Sequence, residues 1–474
     1  MTHPLVTDLQ GVLGDTGVLI GPSDMAAYLT DWTGEFTGTA LCVARPASTK
    51  EVQQVVILCA RHDVAITPQG GNTCVSGGSV PATDRAQIVL SLDRMCKIRA
   101  LDTTARTATV EAGVILETLQ TAARNEGLLF PLSFGARGSC TIGGVLATNA
   151  GGANVLRYGN ARDLCLGIEA VLADGTTLHT LTGLRKDNSG YDLRNLLIGS
   201  EGTLGIITAA TLRLYPAPRA VATAFVALAD MAAALPVLNR LQDLSGGQVD
   251  AFEYMPAGVV GAVCSHLGMA PPLETPAETG LLVELASTRA GDAEADADGR
   301  SHLDALLTDA LAGLLSSGQI TDAVVAQSNA QRQKLWQMRE AVLETIVAHG
   351  PFYTFDASLP LAGVAPFLGA LDPQAQSMGF RTMTVGHLGD GNLHFAVVAA
   401  PGKDWASLPL GALKTKVLEA LSKLGGSFSA EHGIGQSKTD LMRHHKPEAA
   451  LAAMADIKRA LDPKAAFNPG KLLP

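Results

Sequence analysis

The sequence contains no stretch of about 18 apolar residues, the minimum for a membrane-spanning helix. Its longest Ala/Leu-rich runs are interrupted by charge or glycine. No basic start precedes an apolar run, so the opening MTHPLVTDLQGVLGD does not read as a secretory signal. Basic charge is short as well: 35 Lys and Arg against 45 Asp and Glu leave a net charge of -10. Nucleic-acid binders and proteins held on anionic membranes need a basic face, so neither partner is expected, although a local positive pocket is allowed. The seven cysteines (Cys42, Cys59, Cys74, Cys96, Cys140, Cys165 and Cys264) form no C-x-x-C and no framework spacing. Free thiols in a cytoplasmic protein are the expectation. There is no internal repeat.

At 474 residues the chain is too long for one ordinary core, and 47% hydrophobic with 17% charged residues suits a folded soluble protein of two or three domains. The stretch from Leu41 to Val80 reads β-α-β. Ser48-Thr49-Lys50-Glu51 resembles a capping box, and Val52, Val55, Val56 and Cys59 recur at helical spacing. AQIVLSL and TATVEAG read as strands and residues 114–127 as a helix. LGIEAVLADGTTLHTL reads as two strands about an ADG turn, and LGIITAATLRLYP as a further strand. Pro216 and Pro218 mark a boundary. The expected class is α+β: a first domain over 1–217, an α+β domain with an antiparallel sheet over 218–425, and a C-terminal segment over 426–474. AGDAEADADGR (290–300) reads as a solvated loop or helix start.

Two familiar nucleotide signatures are missing. No G-x-G-x-x-G lies between a strand and a helix, and no G-K-[ST] follows a glycine loop, so neither a Rossmann site nor a P-loop is supported. What is present instead is three glycine blocks, PQGGNTCVSGG (68–78), GSCTIGGVLATNAGG (138–152) and IGSEGTLGIIT (198–208). Any one block can be a set of tight turns. Three together suit a large phosphate-bearing cofactor, because glycine lets backbone amides approach a ligand closely.

GHLGDGNLH (386–394) sits between the strand-like RTMTV and LHFAVV. If Asp390-Gly391 is a two-residue turn, His387 stands directly opposite His394, with Cβ atoms about 4.5–5.5 Å apart. Two imidazoles at that distance can share a metal. Glu431, in SFSAEHGIG, supplies a third ligand, and a His-His-Glu set matches a catalytic divalent site. His432 follows Glu431, and in extended backbone the two would face opposite ways. Residues 329–350 read as one helix. Arg339 shares an apolar stripe with Leu335, Val342 and Ile346 and therefore needs an anion. That anion is either a structural carboxylate or a substrate carboxylate gripped by the guanidinium fork.

The blocks GGNT…GG, GSCTIGGVLATNAGG, IGSEGTLGIIT, GHLGDGNLH, SAEHGIG and NPGK, in that order, resemble the FAD-binding PCMH-type proteins of the vanillyl-alcohol-oxidase superfamily. Within these the resemblance is to the D-2-hydroxy acid dehydrogenases, the branch of D-lactate and D-2-hydroxyglutarate dehydrogenases, and it runs from about residue 38 to the end. It implies a two-subdomain FAD-binding domain followed by the substrate domain. The FAD pyrophosphate would lie on Pro68, Gln69, Gly70, Gly71, Asn72, Thr73, Cys74, Gly77 and Gly78. Pro131, Gly138, Ser139, Thr141, Ile142, Gly143, Gly144 and Asn149 would flank the flavin, with Gly202 and Ile207 near the adenine end and Asn468 also on the cofactor. Gln69 stands where Arg is frequent and Cys74 where Gly is usual; neither change removes an amide. The first loop has no histidine, so FAD would be non-covalent.

The same resemblance implies zinc or another divalent ion on His387, His394 and Glu431, His432 as general base and Arg339 on the substrate carboxylate. Three polar positions of the 2-hydroxyglutarate type are changed: Leu343 replaces Thr, Thr354 replaces Lys and Ala396 replaces Asn. A distal carboxylate left unpaired would cost free energy, so a substrate less polar than 2-hydroxyglutarate, such as D-lactate or a larger apolar acid, is expected, with D-2-hydroxyglutarate as the alternative. The implied reaction removes the hydroxyl proton through His432 and a hydride from C2 to flavin N5. The electrons then pass to a quinone, an electron-transfer flavoprotein or a cytochrome. A homodimer is allowed. A non-redox enzyme on the same fold and a metal-dependent hydrolase are the alternatives of another class.

Overall fold

A computed structural model describes residues 3–81, 85–296 and 299–474; Ala297 and Asp298 of the stretch expected to be a solvated loop or helix start lie outside them. The chain divides into two compact units. One comprises Met1–Gly151, Gly159–Pro216 and Glu431–Pro474, the other Gly152–Tyr158 and Ala217–Ala430.

Two larger sheets form the body of the first unit. A four-stranded sheet runs in the order Val18–Leu19, Val43–Ala44, Gln87–Ser91, Ala65–Gln69. The Ser48-capped helix Thr49–Arg61 buries Val52, Val55, Val56 and Cys59 in its core, the face that the spacing predicts. Ser48 Oγ accepts from the Glu51 amide at 3.2 Å, while the Glu51 carboxylate reaches back to the Ala47 amide at 2.7 Å. The second sheet is antiparallel, in the order Ile98–Asp102, Thr107–Glu111, Ile206–Arg213, Cys165–Val171, Thr177–His179. The C-terminal end runs beside Ile66, whose amide donates to Ala466 O and whose carbonyl accepts from the Asn468 amide, each at 2.8 Å.

The second unit is an antiparallel sheet with a helical layer on each face. Its strand order is Ile320–Val325, Ala220–Leu228, Gly280–Ser287, Val249–Tyr254, Val385–His387, Asn392–Ala399, Phe352–Ser358, and Phe380–Thr382 also pairs with Asn392–Ala399. Side chains alternate across a strand. Leu393, Phe395 and Val397 therefore join the core under the helices Ala234–Ser245, His302–Ser316, Val364–Ser377 and Leu410–Leu424. Ala396 and Val398 face the smaller core under Ala257–Leu267, Asn329–Glu340 and Val342–Ala348. His394 lies on this second face, as do Glu253, His387 and Asp356 by register.

Candidate functional site

In the second unit the two histidines share a sheet face, but not in the expected register. His387 pairs with Asn392 and His394 with Val385, so a four-residue turn, Leu388 to Gly391, replaces the expected two-residue one. A two-residue type I′ turn needs positive φ at both central positions, and only Gly391 has it, at 82°. The His387 carbonyl accepts from both the Asp390 and Gly391 amides, at 3.3 and 3.1 Å. The shift is an even number of residues, so the face is kept and the histidines become diagonal neighbours. Their ring centroids are 5.4 Å apart and nearly perpendicular. Gly391 is required for a second reason: a Cβ there would collide with the Leu359 carbonyl oxygen.

Each histidine faces a buried carboxylate on the strand beyond. Glu253 pairs in register with His387 and accepts from its Nδ1 at 2.8 Å. Asp356 pairs in register with His394, with Oδ1 3.9 Å from Nδ1. Asp356 also accepts from the Asn392 side-chain amide at 3.2 Å and from the Ala430 amide, one residue before Glu431, at 2.9 Å. With Nδ1 of His387 occupied in this way, any metal-ligand role falls to Nε2.

Arg339 has its anion within the fold. Its Nε and Nη2 both lie 2.9 Å from Glu253 Oε2, so the structural-carboxylate alternative holds for this part of the fork. Burial opposes the charge on Glu253, but His387 and Arg339 outweigh it and hold the carboxyl below its ordinary value. The expected single helix is two, Asn329–Glu340 and Val342–Ala348, divided at Ala341. Leu343, in the first turn of the second, is exposed, Thr354 is half-buried, and Ala396 is fully buried. A matching cluster lies further along the sheet, where Glu284 accepts from Arg332 at 2.7 and 2.8 Å, Trp336 at 2.7 Å and Thr223 at 2.6 Å.

Sequence reasoning missed Glu253, Asp356 and Glu284. The available signal was an acid set in a largely apolar strand, as in VDAFEYM and GLLVELAS.

In the first unit, glycine blocks one and two touch. A Cβ on Gly70 would strike the Thr141 hydroxyl, and one on Gly71 the Ser139 carbonyl. The Thr141 hydroxyl is buried with no hydrogen-bond partner among the described residues. An orphaned hydroxyl in a cradle of glycine amides is what a cofactor oxygen would satisfy, so these residues fit FAD. Several implied cofactor side chains instead hold the loops. Gln69 donates to Tyr28 O and Ser79 O, both at 2.9 Å. Asn72 donates to Ala27 O and Thr30 O, Asn149 accepts from the Arg162 amide, and Asn468 donates to Gly78 O and Glu201 O. Gly71→Ala should therefore lower both Tm and FAD content, because only backbone can yield there; unchanged FAD content and Tm in the purified variant would rule out the close approach.

Glu431 and His432 open the C-terminal part of this unit in a bend, not in extended backbone. Their side chains do not diverge: His432 Nε2 is 4.0 Å from Glu431 Oε1. The loop is pinned from below. Ser76 Oγ donates to the His432 carbonyl at 3.1 Å, and the buried Glu201 accepts from the Ile434 and Gly435 amides, each at 2.7 Å. Burial pushes the Glu201 carboxyl up against the pull of those two amides.

Residues 40–181 match the family described as an FAD binding domain, and residues 217–472 match the FAD linked oxidases, C-terminal domain. The chain belongs to the FAD-linked oxidases. Among curated oxidases it is 39% identical to the mitochondrial D-2-hydroxyglutarate dehydrogenase of Bos taurus, over 96% of this chain and 81% of that one. It is 36% identical to the D-2-hydroxyglutarate dehydrogenase of Xanthomonas citri pv. viticola, over 100% and 97%. Solved structures similar to this oxidase include an alkyldihydroxyacetonephosphate synthase (TM-score 0.74, 18% identity, 100% of this chain and 86% of that one) and p-cresol methylhydroxylase (0.73, 17%, 98% and 96%). At that identity they show the fold alone, which is the expected PCMH-type architecture. The oxidase is an FAD-dependent oxidoreductase of the D-2-hydroxy acid dehydrogenase class, acting on a CH–OH group with an acceptor other than NAD.

Proposed function

We propose that this enzyme oxidises a D-2-hydroxy acid to the 2-oxo acid, with D-2-hydroxyglutarate as the leading substrate. The similarity to D-2-hydroxyglutarate dehydrogenases along the whole chain carries this reading. It favours the alternative over the less polar acid expected from Leu343, Thr354 and Ala396.

In the proposed site, Arg339 binds the substrate carboxylate through the part of its fork that Glu253 does not use, and His432 takes the hydroxyl proton. His387, His394 and Glu431 are the proposed ligands of a divalent ion, zinc or manganese, whose chemistry would be to polarise the hydroxyl and orient the acid. FAD would supply the two-electron acceptor. Its amide and hydroxyl contacts would come from the residues around Gly70, Gly71, Thr141 and Gly144. The electrons would leave it for a quinone, an electron-transfer flavoprotein or a cytochrome.

The test is a panel of D and L acids, scored by flavin bleaching with and without a chelator. D-2-hydroxyglutarate should have the highest kcat/KM, and the chelator should abolish bleaching until zinc or manganese is restored. A D-acid with an apolar side chain that exceeds D-2-hydroxyglutarate by more than about tenfold, equivalent to 1.4 kcal/mol, would transfer the assignment to the less polar class. A yellow protein that no hydroxy acid bleaches would indicate a non-redox role.

A further inference from the structure

Glu253 touches two residues to which the proposed function assigns separate tasks. Its Oε1 accepts from His387 Nδ1 at 2.8 Å, and its Oε2 lies 2.9 Å from both Nε and Nη2 of Arg339. The side chain is 1% exposed and the strand register sets it directly beside His387. We propose that Glu253 is a positioning residue acting on both: it fixes the His387 ring with Nε2 as the metal-binding atom, and it orients Arg339 so that Nη1 meets the substrate carboxylate.

The inference rests on the reading that His387 and His394 hold a divalent ion. The chemistry of the pair fits that role. A carboxylate accepting from the distal nitrogen of a metal-ligating histidine fixes its tautomer and raises its basicity, and losing that partner costs about 10–100-fold in metal affinity. Arg339 follows from the same atom set. Two of its nitrogens converge on one oxygen, a contact that fixes the guanidinium plane as a single hydrogen bond would not. Asp356 stands in the equivalent register beside His394, but at 3.9 Å it is beyond hydrogen-bond reach, so the role is assigned to Glu253 alone.

The test uses the FAD-bound enzyme, stripped of metal and titrated with zinc alone, followed by steady-state kinetics with a D-2-hydroxy acid. Glu253→Gln keeps the shape and removes the charge. It should raise the zinc Kd about 10–100-fold and also raise KM, because Arg339 loses its orientation. Glu253→Asp keeps the charge but is one methylene too short to reach both partners, and it should recover only one of the two effects. A merely structural glutamate would lower Tm while leaving the zinc Kd and KM of the folded, yellow fraction within about threefold of the parent, and that result would overturn the proposal. If Glu253→Gln does not fold, the Asp variant decides by the same criteria. The parent protein offers a check independent of folding. A crystal structure with zinc should show the ion on His387 Nε2, and zinc on Nδ1 would overturn the proposal. A parent that binds no zinc would instead remove the metal reading beneath it.

Discussion

Replacing His432 with alanine should lower turnover by about 10²–10⁴-fold, the usual contribution of a general base, with FAD content and Tm close to the parent. The separation of the two effects follows from the way the loop is held. His432 is anchored through its backbone carbonyl by Ser76, and the following residues through their amides by Glu201. None of these contacts uses the imidazole. The ring is 29% exposed, so truncation opens to solvent and leaves no closed cavity. Turnover within threefold of the parent would remove His432 from the mechanism. Loss of FAD together with turnover would show that the side chain supports the loop after all.

Replacing Arg339 with methionine should act on stability as well as on catalysis. Glu253 is 1% exposed and Arg339 14%. Breaking a buried pair by removing one partner typically costs about 3–5 kcal/mol, because the remaining charge stays uncompensated. His387 still donates to Oε1, so the low end of that range is expected. Thermal unfolding should show the loss directly, and the surviving folded enzyme should have a raised KM for the hydroxy acid. An unchanged Tm would mean that Glu253 is neutralised by other means, and an unchanged KM would confine Arg339 to the fold.

Much of the site was legible because its signals are local. The first and second glycine blocks are segments that crowd one another, and a sequence shows crowding directly as missing side chains. The apolar face of Thr49–Arg61 followed from helical spacing, and the common face of His387 and His394 from the period of two. The misreadings share a cause. Asp390-Gly391 suits a two-residue turn, yet Asp390 does not take the positive φ that such a turn requires, and the pairing slips by two residues. The break at Ala341 and the approach of Glu431 to His432 are likewise departures from an idealised local backbone.

The sequence by itself determined the class of fold through spacing and periodicity and, through its ordered motifs, the family, because such signals act over a few residues. Tertiary structure alone decided the partners. Glu253 is 134 residues from His387 and 86 from Arg339, and nothing near it in the chain announces either. Its environment is set by which strands pair and where helix Asn329–Glu340 lies across them. Once that face is buried, an ionised carboxylate persists there only beside compensating donors, so the pairing of distant strands turned an unremarked glutamate into the residue that joins the two halves of the proposed site.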